Sequence, residues 1–140
     1  MSDGFIDINQ INTSFGGDNE PKDEHLMGLL GKAYQGEIMC RKAIIPMGLI
    51  APFSEYQPTI SKDYAERFMQ DYEAMNPPEL YVYEKDGKFI MSDDYQAYYM
   101  YKAVKSEHAI CVVLGQTTLM DGIKYGPEFK MPLPSVEVEG

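Results

Sequence analysis

The sequence contains no tryptophan, only two histidines and only two cysteines among its 140 residues. Cys40 and Cys111 are too few for a disulfide framework, and neither a Cys-x-x-Cys nor a His-x-x-x-His spacing occurs, which argues against a zinc site. With no signal peptide at the N-terminus, this cysteine usage is typical of a reducing, cytoplasmic setting. No apolar run is long enough for a transmembrane span, so we expect no membrane association.

Basic residues are scarce as well. Twelve Lys and Arg stand against 22 Asp and Glu, which gives a formal net charge of −10. Because proteins contact nucleic-acid phosphates mainly through Lys and Arg, this charge argues against nucleic acid as a partner. An acidic surface most often serves solubility. Two narrower interpretations are a surface that mimics DNA and a surface that docks on a basic partner.

The length and the 44% of apolar residues predict one folded domain. Residues 1–22 are polar and predict a flexible N-terminal arm. Its candidate anchors, to the body or to a partner, are Phe5, Ile6, Ile8 and Ile11. Residues 23–140 predict a single α+β domain with an irregular, Gly- and Pro-containing extension from Gln116. Within that extension, 117–120 and 136–139 could each add a short edge strand or, at the end, an arm.

Three segments of the first half predict regular structure. Asp23 can cap a helix that carries a broad apolar face. The segment 42–51 predicts an extended piece, and Pro46 suits an edge strand or a bend rather than a central strand. Ser61 predicts the cap of an amphipathic helix over 62–75, which the prolines after Asn76 end.

The second half predicts strand, turn, strand, helix and strand between Glu79 and Gly115. Asp86-Gly87 separates two β-prone runs, 80–84 and 88–91, and is a strong hairpin signal. Asp93 with Gln96 three residues later has the spacing of a capping box, and predicts a helix that runs to about residue 105. Residues 108–114 predict a short apolar strand.

This second predicted helix carries four tyrosines, Tyr95, Tyr98, Tyr99 and Tyr101. They are spread around the helix, so we expect some of them to be partly exposed. One interpretation is an aromatic surface for protein recognition or for stacking on a flat ligand. The other is that Tyr95, Tyr98 and Tyr101 line the sheet with their hydroxyls in water.

The order of these elements resembles the ParB/sulfiredoxin-like superfamily over residues 44–115, about half of the chain. The segments that carry the resemblance are Ile45–Pro52, Gln57-Pro58, Lys62–Met75, Asn76–Tyr83, Asp86-Gly87, the helix from Asp93 and Ala109–Leu114. The resemblance implies a small mixed sheet with flanking helices. It also implies a functional turn at the start of the helix after the hairpin, which falls on Ser92–Gln96.

In that family the turn carries glycine and arginine that serve phosphate or nucleotide, or a cysteine in sulfiredoxins. Here Asp93 stands at the glycine position and Gln96 at the arginine position. Two carboxylates and a neutral amide in place of a cation reverse the local electrostatics. Asp93 and Asp94 could bind a metal or act as acid and base, but their spacing fits helix capping better.

We therefore predict a non-catalytic, acidic ParB-like protein that acts as an interaction or accessory module, with an unidentified protein partner, no cofactor, no metal and no catalytic residue. The alternative is a nucleotide-binding protein or nuclease-type enzyme with a modified pocket at Ser92–Gln96. Its candidate ligand-binding residues are Asp93, Asp94, Tyr95, Gln96 and Tyr99. A third hypothesis, residual DNA binding through Lys and Arg, ranks last.

Overall fold

The computed structural model describes residues 21–131 of the chain. Within this range, three α-helices and six β-strands form an α+β fold, as predicted. The helices are α1 (Glu24–Tyr34), α2 (Lys62–Glu73) and α3 (Tyr95–Ala103). The strands are β1 (Cys40–Pro46), β2 (Ile50–Pro52), β3 (Leu80–Lys85), β4 (Lys88–Met91), β5 (His108–Leu114) and β6 (Lys124–Phe129).

The strands form one mixed sheet in the order β2-β4-β3-β5-β1-β6. The β2–β4 and β3–β5 pairs are parallel and the other three pairs are antiparallel. Successive side chains of a strand point to opposite faces of the sheet. Phe68 of α2 and Tyr101 of α3 pack on one face in the larger apolar cluster. Leu26 and Ala33 of α1 pack on the other, in a smaller cluster.

The first half of the chain follows its local signals. The Asp23 side chain caps α1 by accepting from the N–H groups of His25 and Leu26. Ser61 caps α2 by accepting from Tyr64 N at 3.0 Å. Both predicted helices are therefore confirmed, and α2 ends at Glu73, three residues before Asn76.

The hairpin between β3 and β4 is also confirmed. Asp86 and Gly87 have φ angles of 54° and 79°, and positive φ at both central residues is the signature of a type I′ turn. Lys85 and Lys88 face each other directly across the strands at the end of this hairpin.

The prediction of an edge position for the segment around Pro46 is wrong. Strand β1 lies inside the sheet, between β5 and β6. Pro46 is its last residue, opposite His108, and the chain then bends into a 3₁₀ turn over Met47–Leu49. The proline is tolerated because it stands where the strand ends and the bend begins. The alternative prediction for Pro46, a bend, is therefore confirmed.

The C-terminal part differs from the irregular structure expected for it. β6 forms over Lys124–Phe129 and pairs with β1, although it contains Gly126 and Pro127. The register shifts between Arg41 and Ala43 on the partner strand, and a bulge at a sheet edge accommodates such residues. The expected strand over 117–120 is wrong, because that segment has no regular structure. The segment 136–139 and the anchors at 5–11 lie outside the described residues.

Helix α3 begins one residue later than the capping-box pattern indicates. Asp94, not Asp93, is the N-cap, and α3 ends at Ala103 rather than near residue 105. Its tyrosines are mostly core residues: Tyr95, Tyr98 and Tyr101 are 0%, 5% and 1% exposed.

Candidate functional site

The turn over residues 92–94 connects two elements of the fold's interior. β4 lies between β2 and β3 in the sheet, and α3 packs in the larger apolar cluster. The turn is therefore fixed at one end by a strand inside the sheet and at the other end by a packed helix. The sequence-predicted site residues all lie on this turn or in the first two turns of α3.

Asp94 acts on α3. Its Oδ1 accepts a hydrogen bond of 2.9 Å from the backbone N–H of Ala97. Burial raises the pKa of the Asp94 carboxyl, and the bond from Ala97 partly opposes that rise. The carboxylate satisfies an N–H at the positive end of the helix dipole, which is the structural role of an N-cap.

Asp93 accepts its hydrogen bond from a different element. Its Oδ1 accepts a hydrogen bond of 3.2 Å from the backbone N–H of Tyr81 in β3. The two neighbouring carboxylates thus engage a helix and a strand respectively.

Tyr95 and Gln96 turn towards the loop between β2 and α2. The Tyr95 hydroxyl lies 3.2 Å from Ser54 Oγ, and its ring meets Tyr56 edge-on with centroids 5.3 Å apart. Gln96 Nε2 donates a bond of 3.1 Å to the carbonyl of Thr59. Both side chains therefore connect α3 to residues 54–59.

Tyr99 lies apart from this group, one turn further along α3. It is half-buried and packs edge-on against Tyr98, with centroids 5.0 Å apart. The Lys102 ammonium lies 5.9 Å from the Tyr99 ring centroid, within range of a cation–π contact. The structure thus brings Tyr95 and Gln96 to one loop. Asp94 bonds within α3, Asp93 bonds to β3, and Tyr99 packs against Tyr98.

Two hydroxyls at or near the turn are buried. Ser92 belongs to the pocket predicted at Ser92–Gln96, whereas Tyr64 was not singled out by the sequence. Within residues 21–131, Ser92 Oγ and Tyr64 Oη are buried and have no hydrogen-bond partner. Burial is the main cause that raises the pKa of Tyr64 to about 12, and the charge of Asp94 is the second cause. Nothing in the sequence around Tyr64 marks it, because Tyr64 lies thirty residues before Asp94 and only folding brings the two together.

A small cavity of about 250 Å³ adjoins Ser92 and Asp93 on the α1 side of the sheet. Its remaining lining residues are Pro21, Lys22, Asp23, Leu26, Met27 and Leu30. Its lining is mainly apolar, with one lysine and two aspartates at its edges.

Among the described residues, no group of three or more His, Cys, Asp or Glu side chains is arranged to hold a metal ion. In the same part of the chain, no helix has the length and apolar character needed to cross a membrane.

No family model matches the sequence, and no curated protein matches it. A search of solved structures finds the crystal structure of sulfiredoxin from Arabidopsis thaliana, with 13% sequence identity and a TM-score of 0.47. The match covers 54% of this chain and 86% of that one. It agrees with the resemblance seen in the sequence over about half of the chain, and it concerns the fold alone.

Proposed function

We propose that this protein is a non-catalytic binding protein, an interaction module for another macromolecule built on a ParB/sulfiredoxin-like body. The observation that carries the proposal is how the turn over Ser92–Gln96 uses its polar side chains. Asp94 bonds to Ala97 N and Asp93 to Tyr81 N, while Gln96 bonds to a loop carbonyl. These groups hold the fold together.

The charge of the turn supports the same proposal. A helix N-terminus attracts anions because its backbone N–H groups and dipole are positive. At α3 that position is occupied by the Asp94 carboxylate, with Asp93 beside it in the chain. A phosphate group would meet two like charges here, so the turn opposes the binding of nucleotides.

Exposed apolar side chains supply surface for a partner. On the α1 side of the sheet, Ile44 and Phe53 are each 42% exposed. Large apolar side chains in such positions contribute to binding when a partner buries them.

Calorimetric titration with CTP, ATP and Mn²⁺ tests the first half of the proposal, and we expect no saturable heat. A stoichiometric binding curve with any of the three would contradict it. Affinity capture from the source cells, with quantitative comparison of the unaltered chain and Phe53→Ser, tests the second half. We expect one or more proteins to be recovered with the unaltered chain and depleted with the variant.

A second candidate, a ligand site at the turn, is favoured by the two buried hydroxyls, Ser92 Oγ and Tyr64 Oη, that have no hydrogen-bond partner among residues 21–131. Ser92 is 7% exposed, and a buried hydroxyl without a partner costs free energy that a ligand atom could recover. This candidate predicts that Ser92→Ala abolishes a nucleotide signal in the same titrations. A nucleotide signal that survives Ser92→Ala would place the ligand away from this hydroxyl.

A further inference from the structure

The α1 side of the sheet carries a trough that α1 leaves open. A groove of about 400 Å³ lies over β2, β4 and β3, with Ala51, Phe53, Tyr83 and Ile90 among its lining residues. A second groove of about 400 Å³ continues from it past Asp23 and His25. The two grooves share Phe53, Tyr83 and Lys85. Together they form one elongated surface, the Phe53 trough.

The floor of the trough is apolar. Phe53 is 42% exposed although it is a large aromatic residue, and Ile90 and Ala51 are half-buried. The alternation of β3 and β4 places these side chains on the same face as Tyr83, opposite the core formed by α2 and α3.

The rim of the trough is cationic. Lys85 and Lys88 are direct cross-strand neighbours on the trough side of the hairpin, an arrangement in which two like charges repel each other. Within residues 21–131 neither ammonium has a carboxylate within ion-pair distance, and Lys88 Nζ bonds instead to the carbonyl of Gly48 at 3.1 Å. Although the chain has a net charge of −10, no carboxylate of residues 21–131 neutralises these two ammonium groups, and both can receive an anion.

The carboxylates nearest to the trough are engaged elsewhere, except one. Asp23 is buried and accepts bonds from Tyr83 Oη and from the first turn of α1. Glu84 lines the second groove, but its carboxylate accepts bonds from Thr117 and Thr118. Asp86 at the tip of the turn is the exposed carboxylate of the lining.

We propose, on the basis of the binding function proposed above, that the Phe53 trough receives an extended acidic segment of a partner protein. Apolar side chains of the segment cover Phe53 and Ile90, and its carboxylates meet Lys85 and Lys88. Local charge decides this contact despite the acidic surface, because charges further apart than about 8 Å are screened at physiological salt.

Carboxylates fit the trough better than phosphates do. The two cations are lysines, which act as point charges. None of the described residues that line the two grooves is an arginine, which could bind a phosphate at two points. The shallow apolar floor suits alternating side chains of an extended peptide, which projects every second residue to the same side.

Fluorescence polarisation with the full chain tests this assignment. The probe is a labelled synthetic peptide in which glutamate and valine alternate, and its counterpart replaces each glutamate by lysine. We expect saturable binding of the acidic peptide and binding of the lysine peptide weaker by about tenfold or more. Equal binding of both peptides, or no binding of the acidic one, overturns the proposal.

Charge-reversal variants locate the contact. The double variant Lys85→Glu with Lys88→Glu should bind the acidic peptide about tenfold or more weakly than the unaltered chain does. The matched control, Lys62→Glu with Arg67→Glu on α2, changes the net charge equally on the opposite face and should stay within about twofold of the unaltered chain. Equal weakening by both pairs overturns the proposal.

Two further outcomes identify a different occupant and also overturn it. In the first, the unaltered chain does not bind the peptide but binds single-stranded oligothymidylate, and the double variant Lys85→Glu with Lys88→Glu loses this binding. The other is peptide binding that appears only when Ile6 and Ile8 are replaced by serine, which would identify the chain's own N-terminal segment. If the peptide fails to bind and the nucleotide titrations are silent, this proposal falls and the proposed function stands. A nucleotide signal instead contradicts the proposed function.

Discussion

The Tyr83 hydroxyl donates a hydrogen bond of 2.7 Å to Oδ2 of Asp23, the residue that caps α1 through its Oδ1. Both residues are buried, at 4% exposure each. One carboxylate therefore satisfies the start of a helix and binds that helix to strand β3. Burial, together with this bond, raises the pKa of Tyr83, because the phenol must stay protonated to donate.

Removing this hydroxyl should loosen α1. Tyr83→Phe leaves the buried Asp23 carboxylate without one of its donors, and bonds to charged groups contribute about 1.5–3 kcal/mol. We expect the free energy of unfolding in urea to fall by about that amount, with faster hydrogen exchange in α1. Tyr34→Phe, at an exposed tyrosine of the same helix, is the control and should change stability by less than about 0.5 kcal/mol. Equal effects of the two substitutions would show that the bond contributes little.

The cap of α3 can be separated from its charge. Asp94→Ala removes the acceptor for Ala97 N and should cost about 1 kcal/mol, while Asp94→Asn keeps an acceptor and should cost less. Both are measured by urea unfolding at neutral pH. If alanine and asparagine behave alike, the cap does not depend on the side-chain oxygen.

The pH dependence of Asp94 follows from its raised pKa. The folded state holds this proton more tightly than the unfolded state, whose carboxyl titrates near the usual value of 3.8. The contribution of Asp94 to the free energy of unfolding therefore falls as the pH rises from 3.8 through the folded-state pKa. We expect Asp94→Asn to gain stability relative to the unaltered chain across this window. A difference that is constant with pH would contradict the direction of the shift.

Glu84 should show the opposite dependence. Its carboxylate accepts from Thr117 Oγ1 at 2.6 Å and from Thr118 Oγ1 at 2.6 Å, and these bonds lower its pKa below the usual 4.5. The stabilisation is complete above 4.5 and is lost as the pH falls through the lowered folded-state pKa.

Glu84→Gln tests this dependence. We expect the substitution to lower the free energy of unfolding by about 1 kcal/mol at neutral pH. This difference from the unaltered chain should narrow in acid, because the Glu84 carboxylate then becomes protonated. Glu73→Gln, at an exposed position on α2, should show no such narrowing. The measurement is thermal unfolding over a pH series. If Glu84→Gln destabilises the protein equally in acid, the charge of the Glu84 carboxylate does not strengthen its bonds with Thr117 and Thr118.

The two thiols should be inert in the folded protein. Cys40 and Cys111 are buried, and burial raises the pKa of each thiol. Since the thiolate is the reactive form, Ellman's reagent should react with neither thiol at mildly alkaline pH until guanidinium chloride is added. Rapid reaction of the native protein would reveal an opening of the sheet that exposes a strand.

Part of the candidate site could be predicted from the sequence because the signal is local. The hairpin at Asp86-Gly87 follows from the positive φ that glycine accepts, and an acidic cap follows from carboxylates just before an apolar helix. Asp93 and Asp94 both fit that description. The choice between them depends on where β4 ends and on the Tyr81 N–H that β3 presents to Asp93.

The sequence by itself determined the caps at Asp23 and Ser61 and the hairpin at Asp86-Gly87, whose hydrogen bonds close within a few residues. It also determined the order of helices and strands up to β5. Tertiary structure alone decided what distant segments do to each other. It placed β1 inside the sheet by adding β6 to its other side, and it brought Tyr64 beside Asp94. Such contacts arise from the burial of both faces of one sheet, a property of the whole chain that no short window of sequence contains.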